Sequence, residues 1–304
     1  MYLQHFGLKE LPFTLTPNTH FFLNMASHHA AYNMLMVSIM NGEGFMKVVG
    51  EVGTGKTILC RKVLNTLSED ERNFETAYIP NPILSPKGLF LAFAEEIGLE
   101  ASLDIDHHSL LKEITNRLVE RAGQGRKVVL FIDEAHAMPE ETLEALRLLT
   151  NIETEKAKLL QVILFAQPEM DVILNKITLR QLRQRITFSF DLVALDREGV
   201  DRYINHRLAM AGHNGHAIFT KKSIDLLTSV SRGIPRLVNI IAHKALMVAF
   251  GKGERRVDES HIRTAALDTD GVELPSQSTA PSIAAVLVAI IGIAAAFFFG
   301  GFRV

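Results

Sequence analysis

The sequence predicts an α/β fold: a mostly parallel sheet covered by helices on both faces, followed by a small all-helical module and one apolar C-terminal helix. Three observations predict it. Short apolar runs of strand length alternate with longer stretches of helical spacing through the first 195 residues. After Leu195 the strand signals stop and only helical patterns follow. Positions 283–302 form an apolar run without a charged side chain. Alternating strands and helices call for crossovers, and crossovers put helices on both faces of a parallel sheet.

The strand-like runs are 45–49, 74–79, 127–132, 159–165 and 186–190. Helical patterns occupy 56–67, 86–97, 109–122 and 139–152. The second of these opens at Pro86. In the third, Leu110, Leu111, Ile114, Leu118 and Val119 recur at helical spacing, and in the fourth Leu143, Leu146 and Leu149 follow a proline and acids. The helical module comprises 196–210, 221–229, 235–250 and 259–267. The expected division is therefore 1–195 for the α/β domain, 196–268 for the helical module, 269–282 for a polar, turn-rich linker and 283–302 for a transmembrane helix. A helix of that last length spans a hydrocarbon core of about 30 Å.

Composition narrows the function. With 47% hydrophobic and 22% charged residues among 304, a disordered chain is excluded. The formal charge of −2 argues against a generally basic nucleic-acid binder. The single cysteine, Cys60, excludes an internal disulfide framework and a multi-cysteine zinc site. The opening MYLQHFGLKELPF lacks the basic-then-apolar order of a signal peptide, so the bulk of the chain is expected in the cytoplasm.

Two motifs carry the chemistry. Gly50, Glu51, Val52, Gly53, Thr54, Gly55, Lys56 and Thr57 fit the phosphate-loop pattern GxxxxGK[ST], after a strand run and at the start of a helical one. Glycines let successive backbone N–H groups turn toward phosphate oxygens, and the helix adds its positive N-terminal end. Lys56 is expected at the β and γ phosphates of ATP, and Thr57 at Mg²⁺. The second motif is the apolar run 128–132 ending in Asp133 and Glu134. A buried strand there delivers two carboxylates at its tip: Asp133 for the Mg²⁺ shell, Glu134 to orient and deprotonate the attacking water. Asp133 to His136 spell DEAH, but the duplicated motor domains of helicases do not fit in this length.

These motifs with a small helical module resemble an AAA+ ATPase. Phe6-Gly7-Leu8 with Pro12-Phe13, the stretch from Leu143 to Glu153, Gln167-Pro168-Glu169 and Leu179 to Ile186 are similar to the ExeA/GspA-type ATPases of bacterial secretion and pilus systems. The resemblance covers about residues 1–268 and implies further roles. Gln167 stands at the family's sensor-1 position beyond the fourth strand. Arg185 stands where an arginine finger reaches a neighbour's γ-phosphate, with Arg180 and Arg183 close enough to compete for that role. Gly233-Ile234-Pro235-Arg236 matches the sensor-2 pattern, placing Arg236 toward the nucleotide from a lid. The N-terminal segment is expected to flank the adenine.

Larger members of that family continue past their span into a cell-wall-binding domain. This sequence runs two residues beyond its apolar stretch, which is similar to shorter relatives of mannose-sensitive haemagglutinin (MSHA, type IV) pilus assembly. The resemblance implies a homo-oligomeric ring, pilus or secretion assembly proteins as partners, no nucleic acid, and a bacterial inner-membrane tether with a cytoplasmic ATPase domain. A DNA-associated adaptor ATPase of the transposition type is the alternative. Cys60 reads as a core thiol, and the adjacent pairs His28-His29 and His107-His108 point apart and make no metal site. Lys221-Lys222 and Arg255-Arg256 read as solvated faces, the latter with an option on an acidic partner or lipid headgroups. Gly292, Ala296 and Gly300 form a small-residue stripe suited to helix pairing in a membrane.

Overall fold

The computed structural model describes residues 2–15, 26–70, 72–102, 104–154 and 158–274. Five strands, β1 (Phe45–Gly50), β2 (Phe74–Ile79), β3 (Lys127–Ile132), β4 (Leu160–Ala166) and β5 (Phe188–Leu192), form one sheet in the order β2-β3-β4-β1-β5. Every neighbouring pair is parallel. The helices are α1 (Tyr2–Phe6), α2 (Ala26–Asn41), α3 (Lys56–Ser68), α4 (Pro86–Glu96), α5 (His107–Gly123), α6 (Glu140–Leu149), α7 (Glu169–Leu174), α8 (Arg180–Arg183), α9 (Arg197–Met210), α10 (Lys221–Ser231), α11 (Pro235–Gly251) and α12 (Glu259–Leu267).

The period-two alternation of strand side chains divides the core into two layers. Val128, Leu130 and Ile132 of β3 share one layer with Phe90 and Phe93 of α4, Leu110, Ile114 and Leu118 of α5, and Leu143, Leu146 and Leu149 of α6. Val129 and Phe131 point the other way, into the layer of Leu35 and Ile39 of α2 and Leu59, Cys60 and Val63 of α3. Cys60 is a fully buried thiol whose pKa burial pushes well up, in keeping with a core role.

Most expected elements lie within a residue or two of their places. The fifth strand runs two residues later than its apolar run, because its ladder is set by β1: Met46 pairs with Phe188 and Gly50 with Leu192. The helix expected over 139–152 is α6, which stops at Leu149. The sequence reading assigned no helix to α1, α2, α7 or α8. In α2 the apolar side chains are spread round the helix, with Val37 and Met40 exposed while Leu35 and Ile39 are buried, so no face stood out.

In the helical module, Asp196, Thr220 and Asp258 cap α9, α10 and α12 through their side-chain oxygens. Residues 1–272 form one compact unit. Among the described residues no helix is long and apolar enough to cross a membrane. The expected span 283–302, its small-residue stripe and most of the expected linker lie outside the described residues.

Candidate functional site: a glycine loop, two carboxylates and a helical module

The loop between β1 and α3 starts from a strand tip buried in the sheet. Gly53 and Gly55 adopt φ of 84° and 99°, the left-handed region where a side chain is strained. Space is as restrictive as conformation. A Cβ on Gly53 would lie 2.5 Å from Arg236 Cβ, and one on Gly55 2.8 Å from His28 Nε2. Glycine therefore serves both the turn and the close approach of two other elements. Gly55 caps α3 without a side-chain acceptor.

Lys56 is buried, and its Nζ donates to Gly50 O at 2.6 Å and Glu51 O at 3.0 Å. Burial lowers its pKa, while the negative charges of Glu134 and Asp133 work in the opposite direction. The ammonium thus rests on the loop's own carbonyls, with two carboxylates nearby.

Asp133 follows the last residue of β3 and is 3% exposed. Thr57 Oγ1 donates to its Oδ2 at 2.8 Å, and the Glu134 N–H donates to its Oδ1 at 2.9 Å. Burial raises the Asp133 pKa, against those two hydrogen bonds. A hydroxyl and a carboxylate 2.8 Å apart at the mouth of a phosphate loop are the hard oxygen donors that Mg²⁺ takes alongside phosphate. The residues present therefore fit a magnesium–nucleotide complex.

Glu134 has φ 50° and ψ 35°; it and Arg232 are the two non-glycine residues with positive φ among the described residues. A residue held in this region signals strain that its surroundings must stabilise. Gln167, one residue past β4, donates from Nε2 to Glu134 Oε2 at 3.1 Å. His136 Nε2 lies 2.8 Å from the same Gln167 nitrogen and 3.5 Å from Glu134 Oε2, while its Nδ1 faces the Gln167 N–H at 3.4 Å. Glu134, His136 and Gln167 form one polar cluster. The sequence reading assigned His136 no role; its signal was the fourth letter of DEAH.

Arg236 lies at the start of α11, where its N–H donates to Gly53 O at 3.2 Å and ties the helical module to the loop. Gly233, with φ 70°, permits a second close approach: a Cβ there would lie 1.9 Å from Leu195 O. A cavity of about 280 Å³ lies between loop and helices. Gly53, Lys56, Thr57, Glu134 and Arg236 line it, with Thr14, Tyr203, Arg207 and Asn239. These last four were not foreseen. Arg207 is buried; its Nε donates to Pro12 O at 2.6 Å and its Nη2 to Thr14 O at 3.3 Å. Tyr203 Oη donates to Asn239 Oδ1 at 3.1 Å. Their spacing on α9 and α11 resembles any helix face, so only packing distinguishes them.

Arg185 stands apart from this cavity. Its Nη1 donates to Thr150 O at 3.0 Å, and Thr187 N–H donates to Phe45 O at 2.9 Å. It therefore lies at the start of the strands, whereas the phosphate loop leaves β1 at its end. Arg183 bonds to Asn175, and Arg180 is exposed.

The parallel sheet, the glycine loop and the two carboxylates define a P-loop nucleoside triphosphatase of the AAA class. A family described as "AAA domain" matches residues 39–174. General secretion pathway protein A of Aeromonas hydrophila is 39% identical over 272 residues, 90% of this chain. The chain belongs to the AAA ATPase family of general secretion pathway protein A, and spans about half, 49%, of that relative's length. Among solved structures, Cdc6p from Pyrobaculum aerophilum is similar with a TM-score of 0.65 and 14% identity, over 82% of this chain and 70% of that one. Drosophila ORC bound to DNA is similar with a TM-score of 0.65 and 20% identity, over 87% and 65%. At these identities the likeness is one of fold.

Proposed function

We propose that the cavity between glycine loop and helical module binds Mg²⁺-ATP and hydrolyses it. The observation that carries this reading is the Thr57–Asp133 contact at the mouth of the loop. Thr57 and Asp133 would hold magnesium there, and the ion would supply positive charge to offset that of the phosphates. Residues 50–57 cradle the phosphates with backbone N–H groups. Lys56 exchanges its bonds to Gly50 O and Glu51 O for phosphate oxygens. Glu134 orients the attacking water and accepts its proton, and Gln167 and His136 hold that carboxylate in place. Arg236 approaches the nucleotide from residues 196–268, which act as a lid on the 1–195 domain. Trapping tests this directly: Glu134→Gln is expected to retain radiolabelled ATP through gel filtration without releasing phosphate. Normal phosphate release by that variant would remove Glu134 from the role.

The reading extends to the assembly. Arg185, at the far end of the strands from its own phosphate loop, is suited to completing the cavity of a second copy, so the active form is a homo-oligomer. With 283–302 as a membrane tether after the 269–282 linker, ATP turnover serves assembly or localisation of a secretion machine of the type II class or an MSHA-like pilus at the inner membrane. The likeness to general secretion pathway protein A supports the secretion half of that statement.

A further inference from the structure

A hollow of about 970 Å³, larger than the nucleotide cavity, lies on the helical module. Three stretches distant in sequence build it: α1, the turn after α9 and the turn between α11 and α12. Its lining carries the guanidinium groups of Arg255 and Arg256 and the imidazoles of His5, His213 and His216, with no acidic side chain.

The charge imbalance has a structural cause. Glu254 and Asp258 flank the two arginines in sequence, yet both carboxylates turn to His261, a fully buried residue. Glu254 Oε2 lies 3.5 Å from His261 Nε2, and Asp258 Oδ1 lies 2.8 Å from its Nδ1. Elsewhere in the module, Arg197, Arg202 and Arg263 pair with carboxylates and Arg207 is bonded to carbonyls. Arg255 and Arg256 have no acidic partner among the described residues. Two adjacent guanidinium groups left uncompensated in a concave surface attract an anion, and their planar forks match phosphate oxygens.

The walls are held in place. His5 Nε2 lies 2.8 Å from Glu254 O, its ring meets Phe250 edge-on, and Lys9 N–H donates to Ala211 O at 2.7 Å. His213 Nδ1 faces Phe6 O at 2.9 Å while its Nε2 faces His216 O at 3.0 Å.

We propose that this hollow binds a phosphate-bearing anion through Arg255 and Arg256, separately from the nucleotide cavity. The chemistry recognised is a phosphate group; a soluble pyrophosphate-like ligand and an anionic lipid headgroup both present it. Calorimetric titration of the full-length chain without divalent metal tests it with two probes: sodium pyrophosphate, and monomeric dihexanoyl phosphatidylglycerol with dihexanoyl phosphatidylcholine as the zwitterionic control. The Lys56→Ala chain is expected to keep one saturable site for at least one anionic probe. In that background, Arg255→Ala with Arg256→Ala is expected to weaken it at least tenfold. Lys221→Ala with Lys222→Ala, a basic pair outside the hollow, is expected to leave it unchanged. Response to pyrophosphate alone assigns a soluble phosphate, and to phosphatidylglycerol alone a lipid headgroup; response to both assigns a site that reads only phosphate. The proposal is overturned if neither anionic probe saturates a site in the Lys56→Ala chain. It is equally overturned if the arginine pair can be removed without loss, or if the lysine pair matters as much. Failure of the nucleotide reading shows separately, as an ATP affinity that Lys56→Ala leaves unchanged in a chain already carrying Arg255→Ala and Arg256→Ala.

Discussion

The backbone N–H of Arg236 donates to the carbonyl of Gly53 at 3.2 Å, so the first turn of α11 rests directly on the glycine loop. Arg236 Cβ occupies the space where a side chain on Gly53 would begin. Any movement of α11 is therefore felt by the loop, and any change of loop shape by α11. Gly53→Ala is expected to lower stability by about 1–3 kcal/mol through its positive φ alone. It should also separate loop from lid and weaken nucleotide binding. Chemical denaturation and ATP titration of the variant check both; an unchanged ATP affinity would show that loop and lid do not act together.

Lys56→Ala is expected to weaken ATP binding at least tenfold, since it removes the buried ammonium that rests on the loop's own carbonyls, Gly50 O and Glu51 O. Equilibrium binding of a fluorescent ATP analogue measures it. Equal affinity in the variant would exclude the lysine from phosphate contact.

Gln167→Ala is expected to leave ATP affinity near that of the parent chain and to slow turnover by about 10²-fold, in the range of a misplaced catalytic base. His136→Ala should act in the same direction through the same carboxylate. Steady-state kinetics separates the cases: a change in KM with an intact kcat would move these residues from orienting Glu134 to binding nucleotide.

Subunits carrying Arg185→Ala and subunits carrying Lys56→Ala are each expected to be inactive alone, the first by about 10³-fold or more for a lost finger. Mixed, they should regain part of the activity, because one supplies an intact cavity and the other an intact arginine. A mixture as inactive as its components would place Arg185 outside catalysis.

His28 is buried beneath the loop, where its Nε2 lies 2.8 Å from Thr54 O. Burial lowers its pKa from 6.5, outweighing that backbone contact. The unfolded chain then binds a proton more readily than the folded one, so His28 contributes stability above pH 6.5 that declines as pH falls below it. Ligand-free wild-type chain is expected to lose Tm more steeply than His28→Gln between about pH 6.5 and 5. Parallel pH profiles of the two chains would exclude the histidine as an acid-sensitive support of the loop.

The α/β order, the phosphate loop at 50–57, the acids at 133 and 134 and the helical module after 195 were legible because each is a local pattern. Apolar alternation, glycine spacing and a strand ending in carboxylates are fixed by neighbours along the chain. Sequence thereby determined which candidate side chains the protein carries and on which elements they sit. Tertiary structure alone decided what meets across distance: His28 under Gly55, Arg207 gripping Pro12 and Thr14, His136 beside Gln167, and Glu254 and Asp258 turned to His261 rather than to the arginines between them. The reason is physical. A side chain's partner is chosen by packing of elements far apart in sequence, and neither charge nor spacing along one helix records which face will be covered, or by what.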